Sequence, residues 1–135
     1  MKSQSNKLYE QLANKKQFKK TINFDLRRMR LALRMLGSPE KKLKNVINII
    51  GSDGKYSVLH SLKCFIQENN QTASAYISPS LKDIKERFWM GTKFLSHLEI
   101  NQTINEIEKL KVPLTIFEVL TLVYIMNASK FYNDY

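Results

Sequence analysis

The chain has little of what staples, spans or ligates. One cysteine, Cys64, excludes an internal disulfide and suits a reducing compartment. It falls among apolar helix positions, where buried packing rather than catalysis is expected. The two histidines, His60 and His97, have no partner at metal-ligand spacing, and surface or helix roles are expected of them. No apolar run reaches the roughly 18 residues that a membrane helix needs. The opening Met1-Lys2-Ser3-Gln4-Ser5-Asn6-Lys7 leads into no apolar signal core. Four glycines and three prolines form no linker, and neither repeats nor low-complexity segments occur.

What is present is an apolar content of 43% in 135 residues, enough for one small domain or a piece of a larger one with a real core. The charge is uneven. Residues 1–44 hold 13 Lys and Arg against Glu10, Asp25 and Glu40, so the whole net +10 sits there. The remaining residues balance 9 basic against 9 acidic side chains. Such a block suits nucleic acid, an acidic membrane surface or a polyanionic ligand, or is simply a solvated helical face. No basic–aromatic stacking pattern or recognition helix accompanies it, so nucleic acid is not the expected partner; no membrane partner is expected either.

Residues from about 6 to 18 read as a weak helix with Leu8 and Leu12. Thr21 or Asn23 then caps a stronger one, whose Leu26, Met29, Leu33 and Leu36 recur at helical spacing with Arg27, Arg28, Arg30 and Arg34 on the other faces. Gly37 and Pro39 close it. Residues 45–50 form a short, nearly continuous apolar run, as in a strand buried on both faces of a parallel sheet. A helix follows from Lys55 to about Asn69, with Val58, Leu59, Leu62, Phe65 and Ile66 expected inside. Residues 72–77 read as a second strand, which would complete a βαβ unit. Residues 82–95 are expected to be loop with one or two short strands. Ser96-His97-Leu98-Glu99 is a capping box opening a helix to about Lys111, and after Pro113 the segment Thr115-Ile116-Phe117-Glu118 starts a last one.

Between the first strand and its helix lies Gly51-Ser52-Asp53-Gly54-Lys55-Tyr56-Ser57. Glycine at both edges lets the backbone turn its N–H groups toward one point, and the helix aims its positive end there. Lys55 adds a full charge and Ser57 a hydroxyl, the chemistry of a phosphate-binding loop. The spacing G-x-x-G-K-x-S is shorter than the full G-x-x-x-x-G-K-[ST]. A phosphate site and a plain strand–helix turn both remain open on spacing alone.

The order of segments resembles the folylpolyglutamate synthase/dihydrofolate synthase family of the Mur ligase superfamily. That family shows L-G-N-P, I-H-V-A-G-T-N-G-K-G-S, S-P-H-L, E-R-I and T-x-F-E in turn. Here stand Leu36-Gly37-Ser38-Pro39, then Ile47-Asn48-Ile49-Ile50 leading into Gly51–Ser57. Ser78-Pro79-Ser80-Leu81, Glu86-Arg87-Phe88 and Thr115-Ile116-Phe117-Glu118 follow. The family's usual Asn and Gly in the loop are Asp53 and Tyr56 here, and its usual His is Ser80. The match spans about residues 22 to 130, the first third of a family enzyme.

The resemblance implies an α/β fold: the N-terminal part of a P-loop mononucleotide-binding, Mur-ligase-type domain with parallel strands flanked by helices. Residues 1–44 would form a basic helical segment and 45–135 an incomplete ATP-binding domain, the central and C-terminal ligase parts being absent. It also implies a cytoplasmic ATP-dependent ligase of folate biosynthesis, monomeric at full length. Such an enzyme joins glutamate to dihydropteroate or folate through an acyl phosphate. Gly51, Ser52, Asp53, Gly54, Lys55, Tyr56 and Ser57 would hold the ATP phosphates, Ser78 and Glu118 would ligate Mg²⁺, and Asn23, Phe24, Asp25 and Leu26 would lie at the pterin. A non-catalytic remnant or interaction module of the same fold is the alternative, with a basic nucleic-acid-binding helical protein behind it.

Overall fold

The structure, a computed structural model, describes residues 10, 12–14, 18, 25–80, 82–131 and 133–135. Its elements run α1 (Arg27–Met35), a 3-10 turn (Pro39–Lys42), α2 (Lys55–Glu68), β1 (Ser74–Tyr76), a second 3-10 turn (Ile84–Arg87), β2 (Phe88–Met90), α3 (His97–Glu108) and α4 (Ile116–Ala128). The class is α/β, helices around a small sheet.

The two C-terminal helices start where their capping boxes say. Ser96 Oγ accepts from Glu99 N at 3.2 Å while Glu99 Oε2 accepts from Ser96 N at 2.8 Å. Thr115 Oγ1 likewise accepts from Glu118 N at 3.2 Å, and Glu118 Oε2 accepts from Thr115 N at 2.6 Å. Each box satisfies two backbone donors that the first helical turn leaves orphaned. Between the helices, Ile100, Ile104 and Ile107 meet Val119, Leu122 and Val123, all essentially inaccessible. A polar tie crosses this layer: buried Asn127 Nδ2 donates to Thr103 Oγ1 at 2.9 Å, and within its own helix to Val123 O at 2.8 Å.

Glu99 is held down to a pKa of about 2, first by the Lys93 ammonium 2.7 Å away and then by Ser96. A carboxylate whose pKa is lower folded than unfolded stabilises the fold above its ordinary value of 4.5. That contribution fades as pH falls from there toward 2. Ser96→Ala is expected to cost about 1 kcal/mol at neutral pH. Glu99→Gln should flatten the acid limb of the stability curve in that window, as thermal melts between pH 2 and pH 7 would record.

The core continues under the sheet. Ile84, Phe88, Met90, Leu95, Val112 and Leu114 join the two helices in one apolar cluster, which also takes in Leu12, Phe18 and Ala32 from the basic segment. α1 therefore buries Ala32 and half-buries Met29, Leu33 and Leu36, while Leu26 is exposed. Its end follows expectation: Gly37 takes φ +78°, Ser38 N donates to Leu33 O at 2.8 Å, and Pro39 opens the 3-10 turn. Residues 10 and 12–14 are helical; the rest of the weak helix expected over 6–18, and the proposed caps Thr21 and Asn23, lie outside the described residues.

Three expectations need correction. First, the described sheet is antiparallel, with Ser74 opposite Met90, Ala75 opposite Trp89 and Tyr76 opposite Phe88. Residues 45–50 form no strand, so the parallel βαβ unit is not formed among the described residues. A strand exists only through its ladder, and Val46–Ile50 has no strand beside it; Ile50 is 93% exposed. Second, α2 buries Ile66 and half-buries Leu59 and Leu62, but Val58 and Phe65 face solvent. Third, Cys64 on the same helix is exposed, not buried. Both helix corrections share one cause: α2 lies at the periphery and contributes no residue to the main cluster.

The last residues run beside β1. Tyr135 N donates to Thr72 O at 3.1 Å and Tyr135 O accepts from Ser74 N at 3.0 Å. Asp134 Oδ2 accepts from Thr72 N at 2.8 Å, and Asp134 O accepts from Asn45 Nδ2 at 2.8 Å.

Candidate functional site

The loop Gly51–Gly54 is exposed and runs straight into α2, a helix of 14 residues. Gly54 is the residue before the helix and sits at φ +73°, a left-handed conformation that costs a side-chain-bearing residue free energy. No side chain caps α2, so its first N–H groups are unused by the helix and present partial positive charge. Lys55 folds back over the loop. Its ammonium donates to Gly51 O and, at 2.8 Å, to Ser52 O, closing the turn on itself. Asp53, Tyr56 and Ser57 are exposed around this turn.

The two residues expected to ligate Mg²⁺, Ser78 and Glu118, lie far apart in the chain, and each is engaged by a guanidinium. Ser78 Oγ accepts from Arg87 Nη1 at 3.1 Å. Glu118 is buried, and Arg28 Nη2 lies 3.3 Å from both of its carboxylate oxygens. The hydroxyl and the carboxylate are hard oxygens of the kind Mg²⁺ takes, a few from protein and the rest from water and phosphate. The donor types therefore fit the ion, though Arg28 competes for Glu118. Among the described residues no cluster of three or more His, Cys, Asp or Glu side chains is assembled for a metal.

Of the four residues expected near a pterin, Asn23 and Phe24 lie outside the described residues. Asp25 accepts from Arg27 Nε at 2.8 Å and from Arg27 N at 2.9 Å, which lowers its pKa, and Leu26 is 60% exposed. His97 Nε2 lies 3.2 Å from Asp83 Oδ2 and ties α3 to the second 3-10 turn; His60 Nε2 is 3.9 Å from Cys64 Sγ on α2.

Sequence reasoning sets Arg28 among the outward arginines and so misses it. Its signal was position: it precedes Met29 by one residue and Ala32 by four, on the side of α1 that turns inward. It also misses the groove between α2 and the sheet, lined by Tyr56, Leu59, His60, Lys63 and Trp89. There the Lys63 ammonium sits 3.4 Å from the centre of the Trp89 ring, a cation–π contact, and burial lowers its pKa.

A small antiparallel hairpin, a glycine-bounded loop opening a helix and two capped C-terminal helices define an α/β fold with a candidate anion-binding turn. The same fold occurs in E. coli FolC, solved in complex with ADP and without folate substrate. The two superpose with a TM-score of 0.76 at 23% sequence identity, over 96% of this chain and 30% of that one. In fold the chain is thus a FolC-like fragment, spanning under a third of that structure's length. Neither a scan of protein-family models nor a search of curated proteins gave a match. Among the described residues, no helix is long and apolar enough to cross a membrane.

Proposed function

We propose that this chain is the phosphate-binding portion of a FolC-like, ATP-dependent ligase that adds glutamate to dihydropteroate or folate in the cytoplasm. The observation that carries it is the fold shared with an ADP-bound protein over nearly the whole chain, together with Gly51–Ser57 opening α2. In this reading the loop N–H groups and the α2 N-terminus hold the ATP phosphates, and the Lys55 ammonium leaves Gly51 O and Ser52 O to meet them. Ser78 and Glu118 would hold Mg²⁺, which supplies charge neutralisation during phosphoryl transfer. Asn23, Phe24, Asp25 and Leu26 would border the pterin. The domain division at residue 44 belongs to the same proposal, with the basic segment facing anionic folates.

Mg-ATP binding by the 135-residue chain, followed by calorimetry, tests this. Lys55→Ala is expected to weaken binding about tenfold or more, since it removes a charge-assisted phosphate contact. Equal affinity in the two proteins would remove the phosphate-loop assignment.

A second reading, a non-catalytic module of the same fold, is favoured by two observations. Glu118 is already committed to Thr115 N and to Arg28, and Asp53 adds a carboxylate to the turn that would receive phosphate. Absence of Mg-dependent ATP binding in a folded chain would select it.

A further inference from the structure

The groove between α2 and the hairpin encloses about 40 Å³ and holds an unpaired charge. Lys63 on α2 sets its ammonium 3.4 Å from the centre of the Trp89 ring on β2. Among the described residues, no carboxylate lies within ion-pair distance of that ammonium. Glu86 is the one acidic residue lining the groove, and its Oε2 accepts from Lys82 N at 3.1 Å. His60 also lines it, with Nε2 turned to Cys64 Sγ at 3.9 Å. Trp89 brings a further donor, because its Nε1 is buried without a hydrogen-bond partner. Apolar surface comes from Leu59 and from Phe94, whose ring meets Trp89 edge-on at 5.0 Å. A ring face attracts a cation but does not neutralise it. Burial accordingly pulls the Lys63 pKa down.

We infer that this groove binds a short aliphatic monocarboxylate, its carboxylate on the Lys63 ammonium and Trp89 Nε1–H and its alkyl chain against Leu59 and Phe94. Charge selects the head group. One ammonium and one neutral N–H match a monoanion with two oxygens. A phosphate dianion would keep a charge and acceptors unmet beside apolar walls. Size selects the tail. A water needs about 10–15 Å³, so 40 Å³ admits a carboxylate with a few carbons and excludes a fused ring system. Lys63 and Trp89 lie outside the Gly51–Ser57 turn, so this site is independent of nucleotide binding there.

Trp89 is the chain's single tryptophan, so its emission reports this groove alone. Butyrate is the probe, titrated into the full 135-residue chain at constant ionic strength. It should give a saturable emission change with a dissociation constant of about 1 mM, within reach of so small a ligand. Butyramide keeps the shape without the charge and should bind about tenfold or more weakly. Lys63→Met keeps the stem over the ring without the ammonium and should lose butyrate binding to the same extent. Lys63→Arg, which restores a cation suited to both ring and carboxylate, should stay within about threefold of wild type. Circular dichroism checks the fold of both variants; if Lys63→Met unfolds, the comparison of butyrate with butyramide on the wild-type chain decides. Equal affinity for those two compounds overturns the inference, as does undiminished butyrate binding by folded Lys63→Met. Absence of saturation by about 50 mM butyrate does the same. Inorganic phosphate binding more tightly than butyrate, and displacing it, would make the groove a phosphate site and also overturn it.

Discussion

Glu118→Ala is expected to lower the unfolding free energy by about 3 kcal/mol, measured by urea melts at neutral pH. Two losses combine. The capping box at α4 loses the acceptor that holds Thr115 N at 2.6 Å, and such caps contribute about 1 kcal/mol. The larger loss is electrostatic. Glu118 and Arg28 side chains are only 10% and 15% exposed, so removing the carboxylate leaves a guanidinium in a poorly solvated place. Arg28 Nε is already buried without a hydrogen-bond partner, which leaves the residue little to fall back on. Breaking a buried pair from one side costs about 3–5 kcal/mol. The 3.3 Å separations are longer than the usual charge-assisted bond, which puts the total at the lower end of that range. Removing both charges with Arg28→Met and Glu118→Gln should recover part of it. A double-mutant cycle showing no coupling would mean that the pair contributes nothing beyond the cap. The same cycle bears on function, because a carboxylate bound to Arg28 must exchange partners before it can hold a cation.

Phe88→Ala should cost about 4 kcal/mol, the largest effect of any single truncation considered. Phe88 has no accessible surface and is the largest of the fully buried side chains. Its ring stacks on Tyr76 at 5.8 Å, which stacks in turn on Tyr124 at 5.3 Å, so one aromatic column joins both strands to α4. Tyr124 is further tied to β1 by a 2.9 Å hydrogen bond with Ser74 Oγ. Truncation would open a cavity at the base of this column, and the hairpin would loosen with it. Phe88→Leu, which keeps most of the volume, should cost less than about 2 kcal/mol. Thermal melts distinguish the two. Similar small losses in both variants would mean that the column is not what anchors the sheet.

The helices were legible because their signals are local. A Ser or Thr three residues before a Glu specifies a helix start through bonds that close within one turn, and both boxes form as read. The turn at Gly37 was legible for the same reason; the antiparallel partner of the second strand was not, because its ladder joins residues distant in sequence. Residues 45–50 were not, because an apolar run states only that it will be covered, not by what or in which direction. The inward faces of the two C-terminal helices follow from periodicity, since each packs on the other. α2 carries a comparable pattern, yet Val58, Phe65 and Cys64 are exposed because little packs against that helix. The site divides similarly. The loop and Lys55 stand together in sequence, and their contact is local. Arg28 meets Glu118 across 90 residues, and Arg87 meets Ser78 through a loop; no spacing rule announces either.

By itself the sequence determined the concentration of charge in residues 1–44, the helix starts at Ser96 and Thr115, and the glycine-bounded turn before α2. Each of these depends on composition or on bonds between near neighbours. The tertiary structure alone decided the antiparallel pairing of β1 with β2, the guanidinium partners of Ser78 and Glu118, and the exposure of Val46–Ile50. Those outcomes depend on which distant surfaces meet, and burial is a property of both partners to a contact.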